Sequence, residues 1–121
     1  KYDDPRETEQ LEWMKDALKK KDASEVSLLF SHHPFFLKEI GEDDGYFQIQ
    51  KSKRQTYFDL CAESDVDALY AGHLHNNSSG DYSGIPVRTT TSVAFQIGDA
   101  QPSIRVISIA DGTISDQLLN I

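Results

Sequence analysis

Cysteine is nearly missing from the 121-residue chain: Cys61 stands alone, so no internal disulfide can form and no cystine-stapled scaffold is available. Long apolar runs are missing too, since none approaches the roughly 20 residues a membrane-spanning helix needs. Positive charge is scarce. Twelve Lys and Arg against 20 Asp and Glu leave a net charge of −8, which excludes the broad basic stripe that nucleic acid or an anionic membrane demands. A phosphorylated substrate is not excluded, because a bound metal reverses the local field. There is no internal repeat, no low-complexity tract, no initiator Met and no visible signal peptide. The charged opening Lys1-Tyr2-Asp3-Asp4-Pro5-Arg6 reads as the middle of a longer chain, so the compartment is not encoded in these residues.

What is present suits one domain or part of one, with 38% hydrophobic and 26% charged residues. A helix is expected from about Glu7 to Lys20, with Leu11, Trp13, Met14, Ala17 and Leu18 as its apolar stripe. Acidic residues at its start and Lys19-Lys20-Lys21 at its end suit the helix dipole. Val26 to Phe30 is a short strand apolar enough for burial on both faces, stopped by Pro34. A long irregular connection follows from Phe35 to Gln50, a length common in lids and binding loops. Its Asp43-Asp44 pair lacks the alternating ligands of an EF-hand, so calcium is not indicated.

Ser52 and Gln55 are spaced as a capping box for a second helix with Tyr57, Phe58, Cys61 and Ala62 on its inner face. Cys61 reads as a plain buried thiol. Val66 to Ala71 is the second buried strand. After the loop-like Asn76-Asn77-Ser78-Ser79-Gly80, short strands are expected at about 85–91, 93–97 and 104–110. Asp111-Gly112 then signals a tight hairpin returning through 113–118. The fold class is α/β: helix, strand, helix, strand, then a β-rich tail, with a parallel pair of strands joined by a helical crossover.

All four histidines fall at the carboxyl ends of the two buried strands, the edge where open α/β sheets bind ligands. In extended backbone His73 and His75 project to one side about 6.6 Å apart, able to converge on one ion or on two in a binuclear site. Gly72 leaves room for a metal, water or substrate. His32 or His33 from the neighbouring strand end completes a nitrogen-rich cluster of the kind that takes Zn, Fe, Mn, Ni or Cu. Structural zinc sites lean on thiolates, so three imidazoles without cysteine point elsewhere.

Leu28-Leu29-Phe30-Ser31-His32-His33-Pro34 followed by Ala71-Gly72-His73-Leu74-His75 resembles the last two metal motifs of calcineurin-like metallophosphoesterases. The insert Glu42-Asp43-Asp44-Gly45-Tyr46-Phe47 and the following Lys51-Ser52-Lys53-Arg54 resemble the subgroup called calcineurin-like phosphoesterase domain-containing proteins, over residues 8 to 118. The resemblance implies a mixed-sheet sandwich flanked by helices, with residues 1–121 as the C-terminal portion of one domain whose N-terminal half is absent. It implies a centre of two Mn, Fe or Zn ions, with His32 and His73 as ligands of the second and His75 of the first, and a phosphomonoester substrate. His33 falls where the family varies, open to substrate contact or to a structural role. Asn76, directly after the motif, can touch substrate, and the aromatic pair Tyr46-Phe47 can cover it or pack the insert onto the domain.

The family's Asp-x-His, Gly-Asp and Gly-Asn-His motifs, the last carrying the proposed general acid, do not occur here; Gly80-Asp81 and Gly98-Asp99 are out of order. No catalytic acid is therefore expected within these residues, and the segment alone should be inactive and its metal site can stand empty. Two alternatives remain open, a non-catalytic metal-binding or regulatory module and a plain interaction domain with fortuitous histidines. If half a sandwich is absent, the faces of Leu28, Phe30, Leu69 and Val93 should lose their cover. More than several hundred Å2 of apolar surface would then be exposed or buried by self-association.

Overall fold

Asp4 and Pro5 start the first helix. The computed structural model describes residues 4–121, so Lys1, Tyr2 and Asp3 of the charged opening lie outside the described residues. The Asp4 carboxylate accepts the Arg6 N–H at 2.9 Å, and Pro5 fills a first-turn position where its missing donor costs nothing. Helix α1 spans Pro5–Lys19. Met14 is buried with Leu11 and Leu18 packed beside it. Trp13 and Ala17, expected on the same stripe, are exposed, Trp13 by 65%. Trp13 is one residue from buried Met14 and Ala17 one from partly buried Leu18, and one residue turns a helical side chain by about 100°.

Strand β1 is Leu28–Ser31, helix α2 Lys51–Glu63 and strand β2 Ala68–Ala71. The expected capping box does not form, since Gln50 is the N-cap and makes no side-chain bond. Asp44, reaching back from the insert, accepts the Lys51 N–H at 2.5 Å instead, while Gln55 bonds Asp59 and the Tyr82 hydroxyl. The acidic pair thus serves the helix start, where negative charge is favoured. Tyr57, Phe58 and Cys61 are buried as expected and Ala62 is exposed.

Strands β3 (Ser78–Tyr82) and β4 (Ile85–Thr89) complete a sheet of order β1-β2-β4-β3, in which β1, β2 and β4 are parallel and β3 antiparallel. β3 was not expected from Ser78-Ser79-Gly80-Asp81-Tyr82, which shows no apolar alternation. Its place is set by Gly80, where a Cβ would lie 2.7 Å from both the Lys38 carbonyl oxygen and the Phe36 ring, and by the Ser83-Gly84 turn. Both turn residues have positive φ, 51° and 83°, the backbone of a two-residue type I′ hairpin. Asp111 and Gly112, at 51° and 73°, make the same turn between β5 (Ser103–Ala110) and β6 (Thr113–Asn120), as expected. The expected strand over 93–97 is not one: Val93, Phe95 and Ile97 are exposed in a bent segment, so their alternation has no partner strand to meet.

Leu29, Leu69 and Val87 share one register across β1, β2 and β4 and face the helices, forming the core with Met14, Phe36, Phe58 and Cys61. The next register, Phe30, Tyr70 and Arg88, faces the β5–β6 hairpin. The α/β architecture with a β-rich tail is therefore as expected, and the two sheets stand as layers of a sandwich. Of the apolar positions expected to lack cover, Phe30 is 66% and Val93 59% exposed, whereas Leu69 is 3% exposed because it faces the helix layer.

Cys61 is wholly buried and burial alone pushes its thiol up to about 11. An aromatic disulfide reagent at pH 8 should therefore label it at least ~100-fold more slowly in the folded chain than in denaturant. Equal rates would show that the core is open there.

Candidate metal centre

The parallel pairing of Ser31 with Ala71 makes β1 and β2 leave the sheet at the same edge. The Gly72 N–H donates to the His32 carbonyl at 3.2 Å, fixing the two exits against each other. Consecutive residues of an extended chain would point apart, but the Ser31 hydroxyl donates to the His33 carbonyl at 2.9 Å and bends the backbone. The His32 and His33 rings consequently meet edge to face, centroids 4.9 Å apart, and buried Pro34 ends the bend.

The second exit is not extended as expected. β2 ends at Ala71, and His73 and His75 both have left-handed backbone, φ 60° and 51°. The Leu74 N–H donates to the Gly72 carbonyl at 2.6 Å, closing a three-residue turn over His73 with the strained sign of φ. That turn swings the His73 ring toward β1. Its Nδ1 lies 3.0 Å from His32 Nε2, and its centroid is 4.1 Å from that of His33.

Ligand nitrogens of His32, His33 and His73 all lie within 4.8 Å of one another. His75 is outside that group. Its ring meets Phe95 edge to face at 5.5 Å, and its carbonyl accepts from the Ile97 N–H and the Thr91 hydroxyl. Its buried Nδ1 has no hydrogen-bond partner, an unmet polar atom that a bound ion would satisfy. Three clustered imidazoles and one orphaned buried nitrogen are a donor set that fits transition ions. Burial, and then the neighbouring His73 and His32, push the His33 pKa down, which favours the neutral, ligand-competent form of the ring.

The insert between β1 and α2 packs on this edge. Phe47 lies 5.7 Å from the His73 ring, and Tyr46, in edge contact with Phe47, stands 92% exposed. Of the aromatic pair, it is Phe47 that meets the cluster. Glu42 knits the insert, its carboxylate accepting the N–H groups of Leu37, Lys38 and Glu39 and the amide of Gln48. Burial alone would raise its carboxyl, but those donors outweigh it and hold the group below its usual range. Arg54, wholly buried beneath, donates to the carbonyls of Ile40, Glu42 and Ile49. Nothing in the run Lys51-Ser52-Lys53-Arg54 marks Arg54 out in the sequence.

An open cleft of about 950 Å3 runs beside His32 and His33 and is lined also by Tyr46, Gln48, Lys53 and Tyr57. Lys53 is paired with Glu7. Asn76 lies away from this cleft, half-buried, its side-chain oxygen accepting the Asn77 N–H at 2.8 Å. Among the described residues no helix is long and apolar enough to cross a membrane.

No protein-family model matches the chain. It is 35% identical over 83 residues to the serine/threonine-protein phosphatase CPPED1 of Bos taurus, an alignment covering 69% of this chain and 26% of that protein. The corresponding protein of Rattus norvegicus is 32% identical over 83 residues, 69% and 27% of the two chains. That of Danio rerio is 31% identical over 87 residues, 72% and 28%. The chain thus spans about a quarter of the length of these curated relatives.

Proposed function

We propose, from the premise that this chain belongs to the calcineurin-like phosphoesterases, that it supplies one wall of a metal-dependent phosphomonoester hydrolase. The observation that carries this is the meeting of His32 and His73 at adjacent parallel strand ends, in a chain whose relatives are named protein phosphatases. In this proposal residues 1–121 are the C-terminal portion of the domain. The remainder covers the exposed side of β1 around Phe30 and Val93; without it those faces favour self-association.

His32 and His73 would hold one ion and His75, with its orphaned Nδ1, the other. When bound, such ions supply Lewis acidity and an activated water for in-line attack on phosphorus. The chain's own groups orient these imidazoles through the Ser31 bend and the turn over His73. The substrate would lie in the cleft beside His32, with His33 and Tyr46 along it and Asn76 on the far side of the cluster. In this proposal the leaving oxygen is protonated from the remainder of the domain, so the segment by itself is inactive.

The test uses the longer protein that contains the chain. It should hydrolyse an aryl phosphate in a Mn2+-, Fe- or Zn2+-dependent manner, lose that activity to a chelator, and lose at least ~100-fold in kcat with His73→Ala. Metal uptake without hydrolysis would favour the alternative of a non-catalytic metal-binding module, and no effect of His73→Ala would favour fortuitous histidines.

A further inference from the structure

We propose that His33 is a metal ligand in this chain, and that His32, His33 and His73 form a three-imidazole site for a single divalent transition ion that fills without any residue from outside the 121. Zinc–imidazole bonds of 2.0–2.1 Å in a tetrahedral shell place ligand nitrogens about 3.4 Å apart. The three ligand nitrogens lie within 4.8 Å of one another; His73 Nδ1 and His32 Nε2, 3.0 Å apart across a shared proton, open slightly and His33 closes in as the ion displaces that proton. His32 and His33 are exposed and can make that adjustment without disturbing the core.

Two features set this site apart from one shared with His75. The Ser31 hydroxyl turns the His33 ring to the His73 side of the backbone, a direction that an extended strand end would deny it. His75 is held the other way, against Phe95 and by the bonds to its carbonyl from the segment 91–97. Among the described residues no carboxylate joins the cluster. A set of nitrogens alone selects Zn2+, Co2+, Ni2+ or Cu2+ over Mg2+ and Ca2+. The cleft along His32 and His33 leaves the remaining coordination positions to water, and Phe47 shields the side toward His73.

The experiment is a titration of the 121-residue chain with Co2+, followed by its visible absorption bands, with Zn2+ as competitor and Mg2+ as control. One ion per chain is expected, displaced by Zn2+ and indifferent to Mg2+. His33→Gln and His33→Asn should each weaken binding about tenfold or more, since even groups that merely orient a ligand are worth that much. His75→Gln should stay within about twofold of the parent. Unchanged circular dichroism is expected for all three variants, because His33 is exposed and His75 lies outside the cluster. The proposal is overturned if the chain takes up no Co2+, if either His33 variant binds like the parent, or if His75→Gln weakens binding as much as His33→Gln. The hydrolase assignment is decided separately, by activity of the longer protein, which this titration does not involve.

Discussion

Replacing Arg54 with alanine should cost about 3–5 kcal/mol and lower the thermal midpoint by roughly 10 °C or more. The guanidinium is wholly buried and acts as a hub for the insert. Its Nε donates to the Ile49 carbonyl at 2.8 Å, and Nη1 to those of Glu42 at 2.7 Å and Ile40 at 3.2 Å. Nη2 lies 3.6 Å from the Asp44 carboxylate. Truncation orphans three carbonyls, each costing about 1–3 kcal/mol while it stays buried. The segment should escape that penalty by opening to water. Limited proteolysis should therefore cut the variant within residues 37–50, where the parent resists. Arg54→Lys should recover only part of the loss, because an ammonium on a flexible stem does not reproduce a planar fork. A variant that melts within about 2 °C of the parent would show that the insert is held by something else.

Asp116→Ala should be of similar size, about 3–5 kcal/mol, for a different reason. Asp116, on β6, forms an ion pair with Arg105 of β5 and lies 3.9 Å from the Arg88 guanidinium of β4. It also accepts from the Tyr70 hydroxyl of β2 at 3.3 Å. One carboxylate thus binds the hairpin to the larger sheet, and without it two partly buried arginines lose their common partner. Burial first, and the Asp116 charge second, raise the Tyr70 phenol above its usual range. Asp116→Asn should accordingly let the Tyr70 titration move down toward the ordinary value while part of the rise, due to burial, persists. Alkaline difference spectra would read that shift, and denaturant melts with the Arg88→Ala/Asp116→Ala double variant, whose members lie on the two sheets, would read the coupling. Additive losses would mean that the pair is not what joins the sheets.

Both of these hubs were illegible in the sequence, and for the same reason. Arg54 sits in a run of charged residues, and Asp116 in a strand of mixed polarity; burial is conferred on each by elements distant in the chain. The parallel pair β1–β2, by contrast, declared itself through short apolar runs ended by Pro34 and Gly72, and the Asp111-Gly112 hairpin through turn chemistry. β3 was hidden because Ser78-Ser79-Gly80 earns its place through lack of bulk beneath Phe36 rather than through hydrophobic pattern. The converse error, a strand over 93–97, came from alternation without an available edge. At the candidate site the two strand ends were foreseeable from histidine placement. The bend that turns His33 inward and the positive φ of His73 were not, since the first goes with the Ser31 hydroxyl reaching the His33 carbonyl and the second with the Leu74 N–H closing onto the Gly72 carbonyl.

The pairing of β1 with β2 also has a consequence for the order of events in folding. Each hairpin, β3–β4 and β5–β6, closes across two residues, whereas Leu28 must find Ala68 across about forty. Loop-closure entropy grows by about 0.6 kcal/mol for each doubling of length, so the parallel pair starts at a disadvantage of roughly 2–3 kcal/mol. It is repaid only when the helices cover Leu29 and Leu69. The imidazoles sit at the far end of that late-closing joint. An ion that needs both strand ends together prefers the native chain, and at a hundred times its dissociation constant would deepen the native well by up to about 2.7 kcal/mol, acting as a clasp on the joint of longest reach.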